Sequence, residues 1–184
     1  MTVSETSGTE RRPDTRAGER PSLPAGLLDL ATATGEEESI AVEEPATGAE
    51  IASIPACGEA AVDRAVEGAR EAGAAWAERP ASERAEVIER FHDLLLDRQA
   101  EVLDVLQLET GKARRHAYQE VIAAAGTARH YAVRAERYLE PERRKGAFPG
   151  LTRADVFHEP KGVVGLIAPW NYPFELVVSD AIPA

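Results

Sequence analysis

Reactive side chains are sparse in these 184 residues, and one short stretch places a polar group where chemistry is done. Gly162-Val163-Val164-Gly165-Leu166-Ile167 is an apolar run, followed by Ala168-Pro169-Trp170-Asn171-Tyr172-Pro173. The pattern reads as a strand, a loop and a helix start, with the Asn171 carboxamide at the carboxyl end of the strand. In open α/β sheets, ligands bind at that end of a strand. An amide there offers hydrogen-bond donors without a charge, and its plainer use is to cap the loop. Trp170 faces the same cleft on the first reading and is a core aromatic on the second.

The other candidates are weaker. Cys57 is the single cysteine, which excludes an internal disulfide and a four-cysteine zinc site. A lone reduced thiol fits a cytosolic compartment. It sits in Pro55-Ala56-Cys57-Gly58 just ahead of a helix, whose dipole lowers a thiol pKa. No paired His is implied, so a plain, partly buried thiol is expected. His92, His116, His130 and His158 lack metal-ligand spacing and are assigned to the surface. Lys112 in Glu109-Thr110-Gly111-Lys112 lacks the upstream Gly of a phosphate loop, so it is expected to partner the dipole of the preceding helix.

The elements that position these groups follow from periodicity. Residues 1–38 are polar at the start and read as a disordered or loosely docked tail, in which Leu27, Leu28 and Leu30 form a short helical turn that docks on the body. Ser39 to Ile54 reads as a hairpin, with Glu44-Pro45-Ala46-Thr47-Gly48 as its turn. Four helices follow. The first, Glu59 to Ala77, carries Val62, Ala65, Val66, Ala69 and Trp76 on one face behind Gly58. The second starts at a Ser82 cap and buries Val87, Ile88, Phe91, Leu94 and Leu95. The third runs through Val102, Leu103 and Leu106 to a left-handed Gly111. The fourth covers Ala113 to Leu139, with a stripe of Ala117, Val121, Ala124, Ala128, Tyr131, Ala135 and Tyr138, and Pro141 stops it. Residues Ala147 to Glu159 read as an extended, paired segment. Val163 to Ile167 is uniformly apolar, as in a parallel strand covered on both faces, and Pro173 suits the first position of the next helix.

Acidic residues outnumber basic ones, 32 to 21, for a net charge of -11. That balance argues against non-specific nucleic-acid binding and against docking on anionic membranes. No apolar run is long enough to span a bilayer, and no signal peptide is apparent. A soluble, cytoplasmic chain is expected.

Taken with their order and spacing, Pro45-Ala46-Thr47-Gly48, Glu109-Thr110-Gly111-Lys112 and Pro160-Lys161-Gly162-Val163-Val164-Gly165 leading into Pro169-Trp170-Asn171-Tyr172-Pro173 resemble the NAD(P)-dependent aldehyde dehydrogenase superfamily. Val178-Ser179-Asp180-Ala181-Ile182-Pro183-Ala184 looks most like its succinate-semialdehyde dehydrogenase branch. The resemblance runs from Ser39 to the last residue. It implies an incomplete α/β fold: the hairpin, the helical segment and the first strand of a Rossmann-type cofactor domain, with residues 39–184 as the N-terminal part. It implies oxidation of an aldehyde by NAD or NADP through a cysteine thioester. Asn171 matches the catalytic oxyanion donor; Ile167, Ala168, Pro169 and Trp170 match the cofactor cleft; Tyr172 and Leu176 match the substrate tunnel. No metal is implied. The family's nucleophile, general base and cofactor turn would lie beyond Ala184, so this chain alone is expected to be inactive. The segment Phe148 to His158 resembles the arm through which the family forms homodimers or homotetramers.

Two departures stand out. Glu44 replaces the Asn usual before Pro-Ala-Thr-Gly, expected as a solvated turn. Glu175 follows Phe174 where the family is Leu-rich, and it either complements the helix N-terminus or brings a charge near the tunnel. Two other classes remain open: a catalytically silent chain that binds partners, including a complete copy, and a helical partner-binding module resembling the family by chance.

Overall fold

The computed structural model describes residues 23, 24, 26–28, 38–148 and 150–184. Most of the expected tail, including Leu30, lies outside the described residues. Of its docking turn, Leu27 donates to the Pro24 carbonyl at 3.2 Å and lines an apolar groove on the body.

Strands β1 (Ser39–Glu43) and β2 (Glu50–Pro55) form the expected antiparallel hairpin, with Ile40 opposite Ile54 and a register shift at Val42/Glu43. Its turn is fastened locally. The Glu44 N–H donates to the Ala49 carbonyl at 2.8 Å, and Thr47 Oγ1 donates to the Glu44 carboxylate at 2.5 Å. Glu44 thus serves as the turn's acceptor, as an Asn would.

Four helices follow: α1 (Glu59–Glu78), α2 (Ala81–Asp97), α3 (Gln99–Thr110) and α4 (Arg114–Leu139). Helix α4 is the axis. It packs against α2, α3 and the last helix, α5 (Pro173–Ala181). Its small-residue stripe decides this: Ala117, Val121, Ala124 and Ala128 are fully buried and let neighbouring backbones approach, while Leu95, Leu103 and Leu106 fill the space between. Phe174 and Val178 of α5 close over the same core.

Four expectations fail locally. Leu94 of α2 and Tyr138 of α4, both expected on buried faces, are exposed at 54% and 46%, because each lines a surface groove beside the core. Helix α2 begins at Ala81 with Pro80 as its cap, so Ser82 sits inside the first turn and makes no capping bond; Pro80, with its fixed φ, turns the chain into the helix one step earlier. The α1 stripe is not buried: the helix has no buried residue, and Val62 and Trp76 are exposed. An amphipathic stripe marks a face that wants cover, and α1 finds little among the described residues. Val163 to Ile167 is not a strand, and its apolar residues are exposed. A buried parallel strand needs neighbours to satisfy its backbone groups, and among the described residues only two antiparallel hairpins exist. The second of these pairs β3 (Glu142–Lys145) with β4 (Arg153–Val156). The pairing expected within 147–159 therefore recruits residues before Ala147, because Pro141 frees the chain from α4 directly into extended backbone.

Candidate active site

The corner around Asn171 is built from the end of α3, the second turn of α4 and the start of α5. Helix α3 stops where Gly111 adopts φ +68°, and its N–H closes the helix on the Gln107 carbonyl at 3.0 Å. A side chain resists that left-handed conformation and glycine does not. The reversal directs Lys112 into the body, where its side chain is only 14% exposed. Its ammonium pairs with the Glu120 carboxylate, donates to the Asn171 carbonyl at 2.9 Å, and lies 4.7 Å from the centroid of the Tyr172 ring.

Glu120 is fully buried on the apolar stripe of α4. Its second oxygen accepts the N–H groups of Phe174 at 3.1 Å and Glu175 at 3.2 Å. These are donors that the start of α5 leaves without intrahelical partners, and Tyr172 at the N-cap supplies no side-chain bond. A carboxylate borrowed from α4 therefore caps α5, at the positive end of its dipole. Burying two charges is costly unless they are paired and their remaining hydrogen-bonding capacity is used. Here the carboxylate takes three donors, and the ammonium gives two hydrogen bonds and faces an aromatic ring.

The three sequence motifs meet at this point. A Cβ placed on Gly111 would sit 3.5 Å from Cβ of Pro45 in the β1–β2 turn, while Lys112 holds the turn at Asn171. Residues separated by well over a hundred positions thus form one corner.

The predicted site residues follow one another along the loop and the start of α5, and most of them are exposed. Ile167 is wholly exposed at 101%, Trp170 is 86% exposed, and Pro169 and Asn171 are exposed, with Ala168 half-buried between them. Tyr172 is exposed above Lys112. Leu176 is half-buried one turn into α5, its N–H donating to the Tyr172 carbonyl at 3.2 Å. Glu175 lies in the first turn of α5 and its carboxylate accepts from Ser179 Oγ at 3.1 Å, so it complements its own helix.

Two other readings are corrected. Lys112 does not serve the dipole of α3: Gly111 reverses the chain, and the buried Glu120 carboxylate draws the ammonium inward. Cys57 is exposed and not partly buried, because it lies in the open connection between β2 and α1. Glu120 itself was missed as a site residue. The signal was present: a carboxylate three residues after Ala117 and four before Ala124 lies on a stripe that must be buried.

Beside the corner, α2, α3 and the start of α5 enclose a groove of about 630 Å³, lined by Phe91, Leu94, Val102, Leu106, Pro173 and Phe174 among others. Its lining is largely apolar, with Arg98 and Glu101 among the few charged residues.

Comparison with known proteins bears on what this corner belongs to. Residues 32–184 match the aldehyde dehydrogenase family. A Mycolicibacterium smegmatis protein provisionally named succinate-semialdehyde dehydrogenase (NADP+) is 46% identical over 147 residues, which are 80% of this chain and 28% of that protein. The crystal structure of succinate-semialdehyde dehydrogenase from Burkholderia pseudomallei superimposes with a TM-score of 0.73 at 30% identity, over 80% of this chain and 31% of that one. The NADP complex of the NADP-dependent glyceraldehyde-3-phosphate dehydrogenase from Bacillus halodurans gives 0.70 at 36% identity, over 77% and 30%. The chain thus spans under a third of the length of the relatives it matches. A match extending from the β1–β2 hairpin through α5 excludes a chance likeness confined to one motif. With its three motifs gathered at one corner and its fold shared with those enzymes, the chain belongs to the aldehyde dehydrogenase family.

Proposed function

We propose that residues 39–184 form the N-terminal part of an enzyme that oxidises succinate semialdehyde to the dicarboxylic acid with NADP+ or NAD+. The relatives' names support the substrate and cofactor class. In this reading the thiolate of a cysteine outside these 184 residues attacks the aldehyde carbon. The resulting oxyanion is met by the Asn171 carboxamide, and the thioester formed by oxidation is hydrolysed. Removing one such donor typically raises the barrier by about 2.7–4 kcal/mol. An aspartate at the same place would repel the anion.

The uncharged wall of Ile167, Ala168, Pro169 and Trp170, exposed except at half-buried Ala168, fits the flat face of a nicotinamide and its ribose. Bound NAD(P)+ supplies the hydride acceptor there. Tyr172 and Leu176 border the path of the aldehyde. The observation that carries the proposal is the Asn171 turn, exposed at its side chain yet pinned at its backbone carbonyl by a buried ammonium. An oxyanion donor works when it is held in place before the charge develops.

The remaining assignments go with this reading. The β3–β4 hairpin, with Phe148, Leu151 and Phe157 exposed, is the arm of a homodimer or homotetramer. The setting is the cytoplasm, with neither nucleic acid nor membrane as partner; no helix among the described residues is long and apolar enough to cross a bilayer. By itself the 184-residue chain is catalytically silent, since Cys57 matches no nucleophile position. A second reading, a silent chain that associates with a complete copy, is favoured by the exposed apolar run at Val163 to Ile167.

The test is to sequence the coding frame past Ala184, express its product and this chain separately, and follow NAD(P)H formation at 340 nm with succinate semialdehyde. The expected result is turnover by the longer product only, reduced about 10²–10³-fold by Asn171→Ala. A frame without a later cysteine, or an Asn171→Ala product with unchanged kcat, overturns the proposal.

A further inference from the structure

The Glu109-Thr110-Gly111-Lys112 motif has no part in the chemistry just described, and Glu120 is a fully buried carboxylate that the chemistry does not use. Their geometry gives both a task. Asn171 sits on a loop with no regular structure before it, and its side chain is exposed, so nothing in its own segment fixes its direction. Three constraints reach it from elsewhere. Lys112 Nζ binds the Asn171 carbonyl at 2.9 Å, the same ammonium lies 4.7 Å from the Tyr172 ring, and Glu120 holds the next two free amides, those of Phe174 and Glu175 at 3.1 and 3.2 Å. One ion pair therefore grips the chain on both sides of Tyr172. Glu120 is in turn seated on α4, the helix around which the core packs.

We propose that Lys112 and Glu120 are positioning residues: the ion pair fixes the backbone at Asn171 and so aims its carboxamide, with Gly111 supplying the chain reversal that lets Lys112 reach it. This rests on the catalytic reading of Asn171, but the geometric part stands without it. The pair acts through the backbone carbonyl and the helix start and touches no reacting atom. Each partner depends on the other: Glu120 spans from α4 to the α5 amides, and a neutral side chain at position 112 would leave its carboxylate without a counter-charge.

The test is nuclear magnetic resonance on the 184-residue chain. In the unaltered protein, cross-relaxation between the Lys112 side-chain methylenes and the Tyr172 ring is expected. In Lys112→Met, the Asn171 side-chain amide and the Tyr172 signals should move while those of Val121 and Ala124 in the core stay in place. Lys112→Arg, which keeps the charge and the donors, should restore most of the shift. In Glu120→Gln, which keeps one acceptor oxygen, amide exchange at Phe174 and Glu175 should accelerate at least tenfold relative to Leu176. Absence of Lys112–Tyr172 cross-relaxation in the unaltered chain, or Asn171 signals unmoved in Lys112→Met, overturns the proposal; the first measurement needs no variant to fold. If instead these signals behave as expected while Asn171→Ala leaves turnover of the longer product intact, the positioning holds and the catalytic reading of Asn171 fails.

Discussion

Glu120→Ala should be among the most damaging single substitutions in the chain, and the structure gives the size of the loss. The carboxylate is inaccessible to solvent and accepts from an ammonium and from two backbone amides. Alanine removes both acceptor oxygens and with them all three hydrogen bonds. The ammonium of Lys112 would remain, 14% exposed, with only the Asn171 carbonyl and the Tyr172 ring beside it. Removing one partner of a buried pair costs about 3–5 kcal/mol because the other charge is left uncompensated. Loss of a helix cap costs about 0.5–2 kcal/mol, but the same carboxylate provides both, so the two figures are not added. Urea unfolding followed by circular dichroism measures the change, with the slope m checked to confirm that the unfolded state is the same. The double variant Lys112→Met/Glu120→Leu removes both charges and should be more stable than Glu120→Ala by at least about 1 kcal/mol, leaving mainly the missing cap as its deficit. A loss below about 1 kcal/mol for Glu120→Ala, the range of exposed ion pairs, would refute the reasoning. So would additive single and double variants.

Other outcomes follow from the same structure. Gly111→Ala should lose about 1–2 kcal/mol in the same urea assay, since φ +68° is strained for any residue with a Cβ, although the space beside Pro45 would admit the atom. Ile167→Asp should leave the unfolding midpoint unchanged and lower the binding of a hydrophobic dye, because Ile167 is fully exposed in an open apolar run. Arg98 holds the Glu101 carboxyl below its ordinary value, chiefly by their side-chain hydrogen bond; desolvation opposes this, and the Arg98 charge adds the smallest contribution. A depressed carboxylate adds stability above its unfolded pKa and loses it as the pH falls through the folded one. Arg98→Ala should therefore return the Glu101 titration, followed by carboxyl-carbon resonance, to the ordinary range and reduce the acid sensitivity of α3.

Local chemistry was enough to locate much of this molecule. The α4 stripe from Ala117 to Ala128, the hairpin turn, the stop before Pro141, the left-handed Gly111 and Pro173 at the head of α5 all depend on interactions within a few residues, and each stands where its pattern indicates. The α1 stripe and the apolar run at Val163 to Ile167 show the limit of the same patterns. Apolarity states that a segment gains by being covered, but whether cover exists depends on other parts of the chain. The corner at Asn171 was readable as a motif, and its support was not.

Residue order alone therefore determined the helices, most of their ends and the identity of the exposed amide. Only the tertiary structure decided that Glu120, pointing inward from α4, would meet Lys112 from the end of α3 and the free amides of α5. The reason is physical: a charge buried by helix packing must find its partners nearby in space, and packing, not spacing along the chain, selects them.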